Sequence, residues 1–397
     1  MKEVRLEGIT LNITDGKHGD CESEENSGYF FVSCKDVSDG SIHYENARQI
    51  TERAYRETHK RTKLEPDDIL ITNSGTIGRM ALIKDIPETY RTTFQKSVAI
   101  VKPNKDFVRP TYLYYCLLNC VNQFINQSNG SAQKNLLLGT MRNFKLNIEE
   151  DFSIQDKLSD VLSAYDDLIE NNQKQIKLLE EAAQRLYKEW FVDLRFPGYE
   201  KVEIIDGVPE GWKPSTIGSV CKLRKESLKP DQIPSGLPYI GLEHIPRKDI
   251  CLSTWGDSSN VNSSKYKYQE KDILFGKIRP YFHKVGFALN NGITSTDTIV
   301  VLPQEALWGY VLMTVSSEAF VNYTYQSCKE GAKMPRADWK QMQQYSILIP
   351  PSKIGNEFEK FLHIVTDRIK NLAFQNIRLT EARDRLLPKL MSSELEV

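Results

Sequence analysis

The sequence predicts an α+β fold in which two mixed α/β globules are separated by an intramolecular antiparallel coiled coil of two long helices. Three observations predict it: a self-similarity at an offset of 200 residues, a heptad pattern inside the repeated segments, and a matching strand–loop–strand layout ahead of each segment. Residues 158–190 and 358–390 share ten identities in 33 gapless positions, among them Leu162/Leu362, Ile169/Ile369, Gln175/Gln375, Leu179/Leu379 and Leu186/Leu386. Chance would give about two. The offset is half of the 397 residues, so the whole chain reads as duplicated. The expected domains are 1–150, a helix over 151–196, a second globule over 208–351 and a second helix over 352–394.

In the first globule, LEPDDILITNSGTIGRMALI (64–83) reads as turn, strand, loop and strand, with Asp67-Asp68 in the turn leading into the strand. SVAIVKP (97–103) is a buried strand, since β-branched residues run without alternation. The Gly-Ala loop 128–136 and the strand 144–148 follow. The second globule repeats this order in 268–289, 297–303, 328–336 and 345–350. Single helices are expected over 111–127 and 308–326.

The helices 154–190 and 354–390 carry apolar rows at 3–4 spacing for four heptads, which favours a coiled coil. The rows of the first are Leu162, Ile169, Ile176, Ala183 and Tyr165, Asn172, Leu179, Leu186; those of the second are Leu362, Ile369, Asn376, Arg383 and Val365, Leu372, Leu379, Leu386. An antiparallel pairing centred on 174 and 374 sets Leu162 against Leu386, Leu186 against Leu362, and the two seam asparagines Asn172 and Asn376 against each other. A polar pair in a seam fixes register, because a slip leaves both amides unpaired. The competing arrangement pairs each helix with another chain. About 30 residues at 1.5 Å rise span roughly 45 Å, or about 13 steps of B-DNA.

Charge divides unevenly under a net −1: residues 1–150 are neutral, 151–207 carry −6, 208–350 carry +4 and 351–397 carry +1. This is not the balance of a protein that coats DNA without selectivity. No run of about 18 apolar residues exists, and the first residues lack the apolar stretch of a secretory signal. Seven scattered cysteines read as reduced thiols in a cytoplasmic protein, and Cys116 and Cys120 have no second Cys/His pair at zinc spacing.

The segments WFVDLRFPG (190–198), PEGW (209–212) and LLPKLM (386–391), with the long helices, closely resemble the specificity subunit of type I restriction–modification systems, over essentially the full length. One departure is that the first globule opens at Met1 without the Gly211-Trp212 lead of the second. The resemblance implies that the globules are target-recognition domains reading the two halves of an asymmetric bipartite site in double-stranded DNA. It implies partners too: two methyltransferase subunits docked on the helices, and restriction subunits. S-adenosylmethionine, ATP and Mg would be bound by those partners, with no catalytic residue, metal or cofactor in this chain. Consistent with that, the chain has no Asn-Pro-Pro-Tyr methylase motif, no GxxxxGK[ST] loop and no HxxxH pair. The alternative is a stand-alone DNA-cleaving or DNA-modifying enzyme carrying its own recognition domains. A coiled-coil adaptor that never touches DNA is a third class.

Base reading needs Arg/Lys for guanine and Asn/Gln for adenine, held on rigid elements. The candidates in the first globule are Asn73, Ser74, Thr76 and Arg79 in one loop and Gln133, Lys134 and Asn135 in another, with Lys17-His18 and Gln95-Lys96 weaker. In the second they are Lys277, Arg279 and Tyr281, then Lys329, Lys333 and Arg336, with Ser295-Thr296-Asp297. Trp190-Phe191 and Trp212 are expected either to anchor a partner or to cap the helix end. Asp166-Asp167 is expected to be a solvated helix face.

Overall fold

The structure, a computed structural model, describes residues 1–38, 40–130, 134–328 and 333–395. It divides into two compact units, Met1–Leu168 with Leu379–Val397, and Ile169–Arg378. Each long helix therefore lends one part to each unit.

In the first unit an antiparallel sheet runs in the order Thr10–Asp15, Val98–Pro103, Ile69–Thr72, Met80–Leu82. Ile69 to Ile71 and Val98 to Val101 are fully buried, as an unbroken apolar run demands. A second sheet pairs Phe30–Val32 in parallel with Thr92–Phe94, and Lys2–Arg5 pairs with Lys145–Ile148. The second unit repeats these pairings. Val98 sits opposite Thr72 as Thr298 sits opposite Gly276, and Ile71 sits opposite Met80 as Phe275 does Val285. Lys213–Thr216 pairs with Ser346–Ile349, and Pro238–Ile240 runs parallel to Gly292–Thr294. The duplication is thus visible at the level of strand register. Asp68 performs the expected turn role: its carboxylate accepts from Glu65 N at 2.7 Å and pairs with Lys102 at 2.6 Å. Burial pushes its pKa up to about 6. Asp272 accepts from Gln269 N in the same way and pairs with Arg224.

The single helices expected over 111–127 and 308–326 are each two. Pro110–Asn119 stops where Cys120 leaves helical geometry (φ −97°, ψ 6°), and Val121–Asn126 follows. Trp308–Val315 ends before Ser317, whose extended backbone and hydroxyl, accepting from Phe320 N at 3.2 Å, start Glu318–Gln326.

The long helices run Phe152–Tyr187, continued by one π turn over Lys188–Val192, and Ser352–Met391. In the second unit they pair antiparallel within the chain: Asn172 Nδ2 donates to Asn376 Oδ1 at 2.8 Å and to Gln375 Oε1 at 3.2 Å, while Leu186 and Leu362 share one core with Ile176 and Ile369. In the first unit Leu162 and Leu386 share the core with Leu158 and Leu390. Asp166 corrects its expectation: the Tyr115 hydroxyl donates to it at 2.7 Å and Arg383 pairs with it at 2.5 Å, so this part of the helix face is committed to packing rather than to solvent. Asn172→Ala should lower the stability of the second unit by about 1 kcal/mol, since Asn376 loses its donor in a site partly open to water. Chemical denaturation measures this, and an unchanged midpoint would mean that the amide pair sets nothing.

Candidate nucleic-acid interface

Three stretches meet at the same place in each unit. In the first, the strand Ile69–Thr72 runs into Asn73, whose N–H donates to Ser97 O at 3.0 Å and whose carbonyl accepts from Leu136 N at 2.8 Å. Ser74 bridges Asn135, and Asn129 and Asn135 exchange backbone bonds of 2.9 and 2.8 Å. In the second, Lys277 N donates to Asp297 O at 2.8 Å, and Lys277 O accepts from Ala337 N at 2.9 Å. Ile278 bridges Arg336. Position by position, Asn73 corresponds to Lys277, Ser97 to Asp297, and Asn135 to Arg336. The backbone scaffold repeats and the side chains on it differ.

The loop after Asn73 is pinned by the Thr72 hydroxyl, which donates to Thr76 O at 2.5 Å and accepts from Arg79 N at 2.9 Å. Gly78, at φ +88°, lies so near Val121 that a Cβ would sit 2.6 Å from its Cγ1. Thr76 and Arg79 stand exposed on this rigid turn, and Lys134 is exposed beside it. Asn73 itself is only 8 % exposed, so its amide faces inward and it serves the scaffold rather than the surface. Lys17 N donates to Phe94 O, placing that weaker candidate next to Gln95. His18 is held by Asp15 at 3.0 Å.

Lys277 is likewise turned inward: its ammonium donates to Thr296 O at 2.6 Å and lies 5.5 Å from the centre of the Tyr266 ring. Burial holds its pKa below the ordinary lysine value, against the opposing pull of Asp297. Arg279, in left-handed backbone (φ 51°), places its guanidinium over Phe282, which also receives Arg247 at 4.2 Å. Tyr281 is 46 % exposed and meets Phe282 and Tyr325 edge-on. Arg336 pairs with Asp297 at 2.8 Å and remains 56 % exposed. Lys333 is exposed. Gln133 and Lys329 lie outside the described residues. Arg247 and Phe282 were not singled out in the sequence, because a cation–π stack between residues 35 apart leaves no local signal.

Trp212 is 5 % exposed, inside a cluster with Phe196, Ile354, Trp190 and Phe191. It caps the helix end and is not a surface anchor. Among the described residues no three His, Cys, Asp or Glu side chains gather as a metal site would need, and no helix is long and apolar enough to cross a membrane.

The family model described as type I restriction modification DNA specificity domain matches residues 10–181 and again 209–381. The chain is 28 % identical, over 92 % of its length and 87 % of the relative's, to the type I restriction enzyme MjaIX specificity subunit of Methanocaldococcus jannaschii. It is 21 % identical, over 75 % of its length and 80 % of the relative's, to the HindI specificity subunit of Haemophilus influenzae. Its fold is shared with the crystal structure of the type I restriction–modification S subunit from M. genitalium, at a TM-score of 0.56 and 11 % identity, over 98 % of this chain and 95 % of that one.

Proposed function

Because the chain belongs to the type I restriction modification DNA specificity family, we propose that it reads an asymmetric bipartite site in double-stranded DNA and scaffolds methyltransferase and restriction subunits. One observation carries this reading: the same three-stretch scaffold is built twice, in the same backbone register, and bears different side chains each time. Two copies of one reader with different contacts recognise two different half-sites. Exposed Arg79, Lys134 and Lys333 supply phosphate contacts, while Arg and Asn on rigid backbone supply base contacts. The repeat also offers two equivalent docking positions, one per methyltransferase subunit. The reacting groups, S-adenosylmethionine, ATP and Mg, belong to those partners in this reading, and the assembly works in the cytoplasm.

Co-expression with the modification subunits of its own system, followed by mapping of methylated adenines, should return one two-part motif with an unread spacer. Binding of the assembled complex to that duplex should weaken steeply with salt. Cleavage or methyl transfer by the purified chain alone would favour the stand-alone enzyme instead, and a motif that persists without this chain would end the proposal.

A further inference from the structure

The two scaffolds can be compared at the one position where both present a base-reading side chain. Asn135 and Arg336 occupy equivalent places, each bridged to the second residue beyond the end of the central strand. Both have their backbone held: Asn135 by Asn129, and the neighbours of Arg336 by Arg279 N on Pro335 O at 2.8 Å and Ala337 N on Lys277 O at 2.9 Å. Arg and Asn are also the two side chains that bond guanine and adenine edges with two parallel hydrogen bonds.

The surroundings of Arg336 separate it from other cations of its loop cluster. Lys277 spends its ammonium on Thr296 O, Lys284 spends its own on Leu242 O, and Arg279 lies on Phe282. Arg336 uses one terminal nitrogen on Asp297 Oδ1. The remainder of its donor fork is uncommitted among the described residues, and more than half of the side chain is exposed. Asp297 is itself steadied, its N–H donating to the Ser295 hydroxyl at 3.1 Å and its carbonyl accepting from Lys277 N. A guanidinium held at one terminal nitrogen by a carboxylate loses less rotamer freedom on docking to a base. The corresponding residue in the first unit is Ser97, matched to an Asn that carries no charge to orient.

Resting on the DNA-reading function above, we infer that Arg336 reads a guanine in one half-site, with Asp297 as its positioning residue, and that Asn135 reads an adenine from the equivalent place in the other half. The modification complex carrying each variant is used to map methylated sites. Arg336→Ala should relax one guanine of the motif, lowering discrimination there about tenfold to a hundredfold, with the other half unchanged. Arg336→Lys keeps the charge and loses the fork, so it should relax the same guanine while the salt dependence of binding stays as in the parent. Asp297→Asn should relax that base in part, and Asp297→Glu should restore it. Asn135→Ala should relax an adenine in the opposite half. An Arg336→Lys motif identical to the parent, or variants at 135 and 336 acting on the same half, would overturn the inference and leave the bipartite function standing. A parent complex without a bipartite motif would remove both.

Discussion

Replacing Gly309 with valine should lower the stability of the second unit by about 4 kcal/mol. Gly309 lies in the first turn of Trp308–Val315, where that helix crosses the distal long helix. A Cβ there would sit 2.7 Å from Leu362 Cβ and 3.0 Å from Leu362 Cγ. Leu362 has no exposed surface and belongs to the main core, so it has nowhere to retreat. The short helix cannot move away either. Its first N–H groups, on Gly309 and Tyr310, donate to the two carboxylate oxygens of Glu359 at 2.8 and 2.9 Å. Glu359 is only 6 % exposed, and its burial raises its pKa. A shift large enough to seat the valine strips those donors from a buried acid. Overpacking costs about 1–3 kcal/mol, and an unsatisfied buried group adds about as much. For a unit of this size the melting temperature should fall by about 10 °C. Gly309→Ala should show a smaller loss in the same direction. A valine variant melting with the parent would mean that the contact between the two helices is slack.

That contact was invisible in the sequence, although the helices themselves were not. Heptads sustained four times over, and identities falling on them, were enough to place Asn172 opposite Asn376, because register in a two-helix seam depends only on spacing along each helix. The strands at 69–72, 98–103, 273–276 and 298–303 were legible for a related reason: each carries an unbroken apolar run of three or four residues and is bounded by turn residues. The parallel pairing of Phe30–Val32 with Thr92–Phe94 and the helix Glu52–Thr62 were not. The first joins three-residue strands 62 positions apart, and the second is a polar helix whose apolar face is only a few residues wide.

The candidate site was legible as loops and not as side chains. Residue type selected Asn73 and Lys277 as readily as Arg79 and Arg336. Strand register then turned the first two inward, because each follows a central strand and bonds to its neighbour on both sides. The sequence held a sign of this, since the two align with each other at the repeat, but type alone cannot tell a scaffold amide from a reading one. Asp297, one of three neighbouring candidates in its loop, gained its role only through proximity to Arg336.

Glu180→Gln should make the second unit more stable than the parent at alkaline pH and not at acidic pH. Glu180 lies on the central helix, 5 % exposed, and its Oε1 accepts from Ile250 N at 3.0 Å and Cys251 N at 2.9 Å. Burial, reinforced by the charge of Asp249, pushes its pKa up to about 8 from an ordinary 4.5. Between those values the folded chain binds more protons than the unfolded one. Stability therefore falls as pH rises, beginning near 4.5 and levelling off above 8. Glutamine keeps an oxygen for both N–H groups and never ionises, so the variant escapes this loss. The gap should reach about 4–5 kcal/mol at pH 8.5 and be small at pH 5. Glu180→Ala separates the two roles of the side chain: it too removes the pH dependence, but it leaves both N–H groups without an acceptor and should be less stable than the glutamine variant at every pH. Denaturant midpoints for the three proteins across that range decide the matter, and parallel curves for parent and glutamine variant would show that Glu180 stays ionised in the fold. The strand Cys251–Leu252 begins at these N–H groups and pairs with Val285–Ala288, which pairs in turn with Ile273–Gly276, the strand that leads into Lys277. A proton on Glu180 thus secures the edge of the sheet from which the second reading loop projects.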